Sequence, residues 1–93
     1  MKYEPNPVDL SGIQLTPELQ ADVERIAEDI HETWALQRQR EGWTYGPKHD
    51  ALKKTHPCMV DYASLPEREK DVDRGTVLQT IRMLLWMGYD LKK

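Results

Sequence analysis

Two tryptophans, one arginine and one tyrosine lie close together in the sequence and have the side chains that bind a flat anionic ligand. Trp34 and Arg38 are four residues apart, so on a helix they share one face. Trp43 and Tyr45 follow in a turn bounded by glycines. An indole face stacks on a planar ring, and a guanidinium binds a phosphate or carboxylate through two parallel hydrogen bonds. The pattern therefore indicates a site for a ring with an anionic tail, such as a nucleotide.

The same four residues also fit a purely structural role. Their types and spacing alone favour that role over a binding site. Trp34 would continue the apolar face of its helix. Trp43 and Tyr45 would close the end of that helix, with Arg38 stacked on them for packing.

The histidines and the single cysteine do not form a metal-binding pattern. Zinc sites usually take their four ligands as two close pairs. His56 and Cys58 form one pair across Pro57, whereas His31 and His49 stand alone. We expect no metal and no cofactor, a buried thiol, and imidazoles on the polar surface. Catalysis by the pair is not expected either, because a reactive thiolate needs a base and an electropositive setting.

The segment 67–74 alternates acidic and basic side chains. Such a mixed run is typical of a solvated face with local ion pairs, each worth under ~1 kcal/mol. The sequence also has no nucleophile elbow, no phosphate-binding loop and no calcium loop. We therefore expect a protein that is not an enzyme and has no catalytic residues.

Length, charge and cysteine content exclude several classes of protein. A chain of 93 residues forms one domain, 1–93. A net charge of -3 argues against nucleic acid as a partner. No apolar run approaches the ~20 residues that span a bilayer, and the N-terminus lacks the apolar core of a signal peptide, so no membrane partner is expected. The single cysteine fits a reducing compartment, and a cytoplasmic location is expected.

A long helix is predicted to carry the first half of the aromatic cluster. Thr16 suits the N-cap, Pro17 suits the first helical position, and Gly42 supplies the stop. The helix is therefore predicted over 17–40. Its apolar face repeats at helical spacing through Leu19, Val23, Ile26, Ile30 and Trp34.

The remaining chain is predicted to wrap this helix. Two prolines and four aliphatic residues make 1–15 an extended arm docked on the domain. The proline- and glycine-containing stretch 42–63 is a packed loop. A capping-box pattern predicts a short helix over 65–71, and a second long helix follows over 74–87. The fold class is mainly α: two long antiparallel helices plus a short helix, with an extended N-terminal arm and a long packed loop.

The segment Gly42–Pro47, with the sequence GWTYGP, resembles the ryanodine receptor repeat. This small domain occurs in tandem copies in the cytoplasmic part of ryanodine receptor channels, and singly in bacterial and phage proteins. The likeness extends from about residue 5 to residue 91. The other matching stretches are PNPVD at 5–9, EDIHETW at 28–34, HPCMVDY at 56–62 and LLWMGY at 84–89.

The resemblance implies a fold of two antiparallel helices with an extended arm and a long packed loop. In the receptors, repeats pack in pairs, and one pair holds an adenine nucleotide between its members. Trp34 matches a tryptophan that contributes to that site. Because this sequence contains one copy, a homodimer would take the place of the tandem pair. The chain has no pore segment, so channel activity is not implied.

Two functions remain open at this point. The first is a small non-enzymatic ligand-binding or sensing module that holds an adenine nucleotide through Trp34, Arg38, Trp43 and Tyr45. The alternative is a protein-interaction or scaffold module, a homodimer or a partner-binding domain, with no small ligand. An open groove at Trp34 would favour the first, and a Trp34 sealed beneath the arm would favour the second.

Overall fold

Two long helices form the frame of the structure, a computed structural model that describes residues 2–93. Met1, the first residue of the predicted arm, lies outside the described residues. The elements are α1 at Pro17–Arg40, the short strands β1 at Thr44–Tyr45 and β2 at Thr55–His56, a 3-10 turn at Tyr62–Ser64, and α2 at Glu67–Trp86. The fold is mainly helical, as predicted. Within the described chain, neither helix has an apolar stretch that would cross a bilayer.

Helix α1 begins and ends where the sequence places it. The Thr16 hydroxyl accepts a hydrogen bond from the Leu19 backbone N–H at 3.2 Å, which satisfies one of the free donors of the first turn. At the other end Gly42 adopts φ +93°, a left-handed conformation that glycine takes without strain. The chain reverses there, and the Trp43 N–H donates to the Arg38 carbonyl at 3.0 Å. Trp43 is thereby fixed against the last turn of α1.

The predicted break between a short helix at 65–71 and a second helix at 74–87 is wrong, because α2 is continuous over Glu67–Trp86. The Ser64 hydroxyl bonds to Asp61 at 2.5 Å, and Pro66 precedes the helix with no side-chain cap. No proline follows Pro66 in the sequence. Gly75 alone costs about 1 kcal/mol inside a helix, too little to interrupt it.

The hydrophobic core lies between α1, α2 and the 3-10 turn. Its buried members are Val23, Ala27, Tyr62, Leu65, Val77 and Ile81. Ile26, predicted to lie on the buried face of α1, is instead 38% exposed, and Ala27 and His31 are buried. The buried face is therefore turned slightly from the predicted one. The small Ala27, with no exposed surface, lets α2 pack close to α1.

Two ion pairs link the first third of α1 to α2 and to the residues that follow it, while the antiparallel direction of the helices stays a prediction. Near the start of α1, Asp22 forms an ion pair with Lys93 at 3.0 Å, beyond the end of α2. Further along, Glu24 of α1 bonds to Arg74 in the first half of α2. The arm packs on α2 as well, since Leu10 is buried and the Gln79 amide donates to the backbone carbonyl of Val8 at 3.5 Å.

Within the loop that joins the helices, β1 and β2 form a two-residue parallel pair that the sequence did not predict. The Thr44 N–H donates to the Lys54 carbonyl at 2.9 Å, and the Gly46 N–H to the His56 carbonyl at 3.3 Å. Gly46 is required here, because a Cβ atom would lie 2.5 Å from Cβ of Thr55. The pairing brings His56 next to the turn that follows α1.

Candidate ligand-binding site

A row of aromatic rings extends along the C-terminal half of α1. The rings of His31 and Trp34 are stacked, with centroids 5.7 Å apart. The edge of His56 meets Trp34 at 5.1 Å, and His49 lies 4.8 Å from His56. Trp43 packs against His49 at 5.5 Å. The end of α1 and the β1–β2 pair together create this arrangement.

One cavity opens among these rings, and we call it the aromatic cleft. It has a volume of about 160 Å³ and is lined by Trp34, Arg38, Trp43, His49 and His56. Three of the four predicted ligand-binding residues therefore meet at one place. The fourth, Tyr45, is 59% exposed and is not part of the lining.

Arg38 is the cationic side chain of the aromatic cleft. Its Nη1 donates to Oε1 of Glu41 at 2.9 Å. Its Nε atom is buried and has no hydrogen-bond partner among residues 2–93. A guanidinium has five N–H donors, so the single bond to Glu41 leaves most of its capacity unused. A buried donor without an acceptor is unfavourable, and an anionic ligand is one way to relieve it.

His56 lies in the wall of the cleft as a neutral ring. Its Nδ1 accepts a hydrogen bond from the Cys58 backbone N–H at 3.0 Å, so the proton of the neutral imidazole is on Nε2. Burial is the main cause that lowers the pKa of His56, and the neighbouring His49 lowers it further. Arg38 therefore supplies the permanent positive charge of the cleft.

A second cavity shares Trp34 and His56 with the aromatic cleft as lining residues. We call it the acidic cleft. It has a volume of about 200 Å³, and its lining residues are His31, Trp34, His56, Cys58, Leu65, Glu69, Val72 and Asp73. Burial raises the pKa of the Cys58 thiol, and the carboxylates of Glu69 and Asp73 raise it further. The thiol is therefore held in its unreactive protonated form at neutral pH.

The expectation that the imidazoles lie on the polar surface is wrong for His31, which is 4% exposed. Its Nε2 donates to the backbone carbonyl of Val60 at 2.6 Å. This bond ties α1 to the loop and satisfies a buried polar atom. Across the described residues, no three His, Cys, Asp or Glu side chains are placed to hold a metal ion together.

The charged segment 67–74 divides between two environments. Arg74 bonds to Glu24 of α1 at 2.9 Å, to Glu67 at 2.9 Å and to Asp71 at 2.7 Å. Tyr62 donates its phenolic hydrogen to Glu24. We call these five residues the Arg74 network. The predicted local ion pairs, Arg74 with Glu67 and Arg74 with Asp71, are present. The same arginine also pairs with Glu24 and so links α2 to α1. Glu69 and Asp73 line the acidic cleft instead.

The sequence model of the RyR domain matches residues 3–93. The chain belongs to the RyR domain family. In this RyR domain the segments that carried the resemblance meet in space. Trp34 from the HETW segment, Trp43 from GWTYG and His56 from HPC all line the aromatic cleft.

Sequence reasoning missed two residues of the RyR domain's aromatic cleft, His49 and His56. His56 lies within a stretch that resembles the family, which was the available signal. Its position beside Trp34 depends on the unpredicted β1–β2 pair. A larger groove of about 370 Å³ lies between α1 and residues 59–61, but its charged lining side chains are the carboxylates of Glu32 and Asp61. The aromatic cleft is thus the better candidate for an anionic ligand.

Proposed function

We propose that this RyR domain is a non-enzymatic module that binds an adenine nucleotide in the aromatic cleft. The observation that carries the proposal is the meeting of two indoles, two imidazoles and one guanidinium around a single cavity. Such a site combines stacking surfaces for a planar base with a cation for its phosphates.

The base would stack on Trp34 or Trp43, which supplies about 1–3 kcal/mol. The free N–H groups of Arg38 would bind the phosphates. Glu41 already neutralises part of the Arg38 charge and would compete with the phosphates. We therefore expect modest affinity.

The surroundings of Trp34 favour this function over a scaffold without a ligand. Trp34 is half-buried and lines two cavities. Residues 2–15 of the arm contribute to the lining of neither one. Trp34 thus borders open clefts and is not covered by the arm.

The raised pKa of Cys58 supports a non-enzymatic role, because it keeps the thiol a poor nucleophile. The single cysteine fits a reducing compartment, so we retain the cytoplasm as the proposed location.

The test is titration with ADP, followed by tryptophan fluorescence and thermal unfolding, with adenosine and inorganic phosphate as partial ligands. ADP at a hundred times its Kd should add about 2.7 kcal/mol to the free energy of unfolding. Trp34→Ala should abolish binding of ADP and adenosine. Trp86→Ala is the matched control, because Trp86 is 55% exposed and lies on α2 away from the cleft.

Arg38→Gln provides a second test that removes little packing. It should weaken ADP binding and leave adenosine unchanged, whereas Arg40→Gln, an exposed change in the same helical turn, should alter neither. No fluorescence or melting response at millimolar ADP would refute the proposal. Equal losses in Trp34→Ala and Trp86→Ala would refute the assignment to this cleft.

The second candidate is a protein-interaction module or homodimer. The observation that favours this function is a group of large apolar side chains at the end of α2. Trp86, Met87 and Tyr89 are each more than half exposed there. Light scattering on the purified chain would test it. A dimer that Trp86→Ala converts to a monomer would support this function, and a monomer at high concentration would argue against the homodimer.

A further inference from the structure

We propose that the groove between α1 and residues 59–61 is a docking site for a protein segment in which one large apolar side chain is flanked by lysine or arginine. We call it the Leu36 groove. The proposal depends neither on nucleotide binding in the aromatic cleft nor on the exposed side chains at the end of α2. It rests on the apolar lining of the groove, the exposed leucine within that lining and the charge of the groove.

Two walls of different kinds form the Leu36 groove. Helix α1 provides Ala35 and Leu36, and the loop that follows β2 provides Met59 and Val60. The volume of about 370 Å³ is larger than that of either cleft. The Nε2 atom of His31 and the backbone carbonyl of Val60 are 2.6 Å apart, a hydrogen bond that ties the loop wall to α1. The groove therefore exists before a partner binds.

The protein itself covers the apolar lining incompletely. Leu36 is 46% exposed, and Ala35, Met59 and Val60 are half-buried. Among the described residues, neither the arm at 2–15 nor α2 contributes to the lining. Protein interfaces have such an apolar centre, which a side chain of the partner covers, and a polar rim around it. A large apolar side chain placed in the groove would remove this surface from water, which is favourable.

The charge of the groove decides which kind of segment fits. Its charged lining residues are Glu32 on α1 and Asp61 on the opposite wall. Asp61 accepts a hydrogen bond from the Ser64 hydroxyl at 2.5 Å, but neither carboxylate forms an ion pair within residues 2–93. The exposed Glu28 lies one helical turn before Glu32 and extends the negative surface along α1. Lysine or arginine beside the apolar side chain of the partner complements these charges.

The same charges argue against other occupants of the Leu36 groove. Nucleic acids and acidic lipid headgroups carry phosphates, which carboxylates repel. The net charge of -3 on each chain also favours a basic partner over a second copy of this chain.

The experiment titrates the chain, labelled with ¹³C at its methionine methyl groups, with a pentapeptide blocked at both ends. The peptide has a central leucine and two lysines on each side. Met59 lines the groove and reports binding there, whereas Met87, 57% exposed at the end of α2, reports effects elsewhere. We expect a saturable shift of the Met59 methyl signal and no shift of the Met87 signal.

Two altered peptides separate the apolar contribution from the charged one. The peptide with serine in place of leucine should bind at least tenfold more weakly, the change expected when a leucine side chain is no longer buried. The peptide with glutamine in place of every lysine should bind about fivefold more weakly, because it forms no ion pairs with Glu32 and Asp61.

Matched variants of the chain test the same two contributions. Leu36→Ala should weaken binding of the lysine–leucine peptide about fivefold, whereas Leu52→Ala, at a 98% exposed position outside the groove, should have no effect. Glu32→Gln should weaken binding about twofold to fivefold. Glu4→Gln removes the same charge from the arm and should change nothing. All four positions are exposed, so the variants should keep the fold.

Several results would overturn the proposal. One is the absence of a Met59 shift at millimolar peptide, and another is equal binding of the leucine and serine peptides. Equal effects of Glu32→Gln and Glu4→Gln would attribute the attraction to overall charge and not to the groove. A Met59 signal that shifts with the concentration of the chain alone would assign the groove to a second copy instead.

Discussion

The Arg74 network and the two clefts lie on the same pair of helices but treat their polar groups in opposite ways. In the network, Arg74 bonds to three carboxylates and Tyr62 bonds to one of them. Around the clefts, Arg38 Nε has no partner and Asp73 has no ion pair in the described part of the chain. Groups that are fully bonded hold the helices together, and groups that are left free remain available to a ligand.

The titration of the same groups follows this division. Burial and the hydrogen bond to Glu24 raise the pKa of Tyr62 to about 12. Hydrogen bonds from Arg74 and Tyr62 lower the pKa of Glu24. Both shifts favour the folded state near neutral pH. By contrast, burial is the main cause that lowers the pKa of His56 and the main cause that raises the pKa of Asp73.

The largest effect on stability is expected for Tyr62→Phe. Tyr62 is 6% exposed and donates to the carboxylate of Glu24. Loss of this charged hydrogen bond should lower the free energy of unfolding by about 1.5–3 kcal/mol, measured by urea denaturation. ADP binding in the aromatic cleft should not change. Tyr89→Phe, at a 59% exposed position, should be neutral.

The pH dependence of the same variant sharpens the comparison. The Tyr62 pKa is higher in the folded state, so the hydroxyl contributes stability below pH 10 that is lost as the pH rises toward 12. The difference in stability between the natural chain and Tyr62→Phe should shrink over that interval. A constant difference would contradict the role of the phenolic hydrogen.

Gly46→Ala should affect both folding and the aromatic cleft. The new Cβ would lie 2.5 Å from Cβ of Thr55, so β1 and β2 must move apart. We expect a loss of about 1–3 kcal/mol in the free energy of unfolding, as for other overpacked sites, together with weaker ADP binding. Gly75→Ala is the control, because its Cβ meets open space on α2 and should stabilise the chain. Unchanged binding in Gly46→Ala would show that His56 is not positioned by the strand pair.

A smaller effect is expected from the titration of His56. Its pKa is lowered in the folded state, so the neutral ring contributes stability above the unfolded value of about 6.5, and this is lost as the pH falls. Thermal unfolding from pH 7.5 to 5 should show a decline that is reduced in His56→Asn. The same decline in both proteins would assign the effect to other groups.

The smallest effect is expected for Glu41→Gln. The Arg38–Glu41 pair is exposed, so its loss should change stability by less than about 1 kcal/mol. Release of Arg38 from this competitor should strengthen ADP binding about twofold to fivefold, measured by fluorescence titration. Weaker binding in Glu41→Gln would mean that Glu41 orients Arg38 for the ligand and does not compete with it.

Local signals in the sequence were sufficient for α1. Thr16, Pro17 and Gly42 act within one turn of their own position, so its bounds follow from neighbouring residues. The same kind of signal fails at α2, where the capping pattern at 64–67 predicts a separate short helix but the helix is continuous. The Ser64 hydroxyl donates to Asp61, and the start of α2 has no side-chain cap, so the predicted capping box does not form.

Three features follow from the amino-acid sequence: membership of the RyR domain family, the mainly helical fold, and the meeting of Trp34, Arg38 and Trp43 at the end of one helix. The tertiary structure alone decided that His49 and His56 complete the cleft and that Glu69 and Asp73 face a second one. The physical reason is distance along the chain. Helix caps and helical faces depend on residues within one or two turns, whereas the β1–β2 pair and the packing of α2 on α1 join residues far apart in sequence.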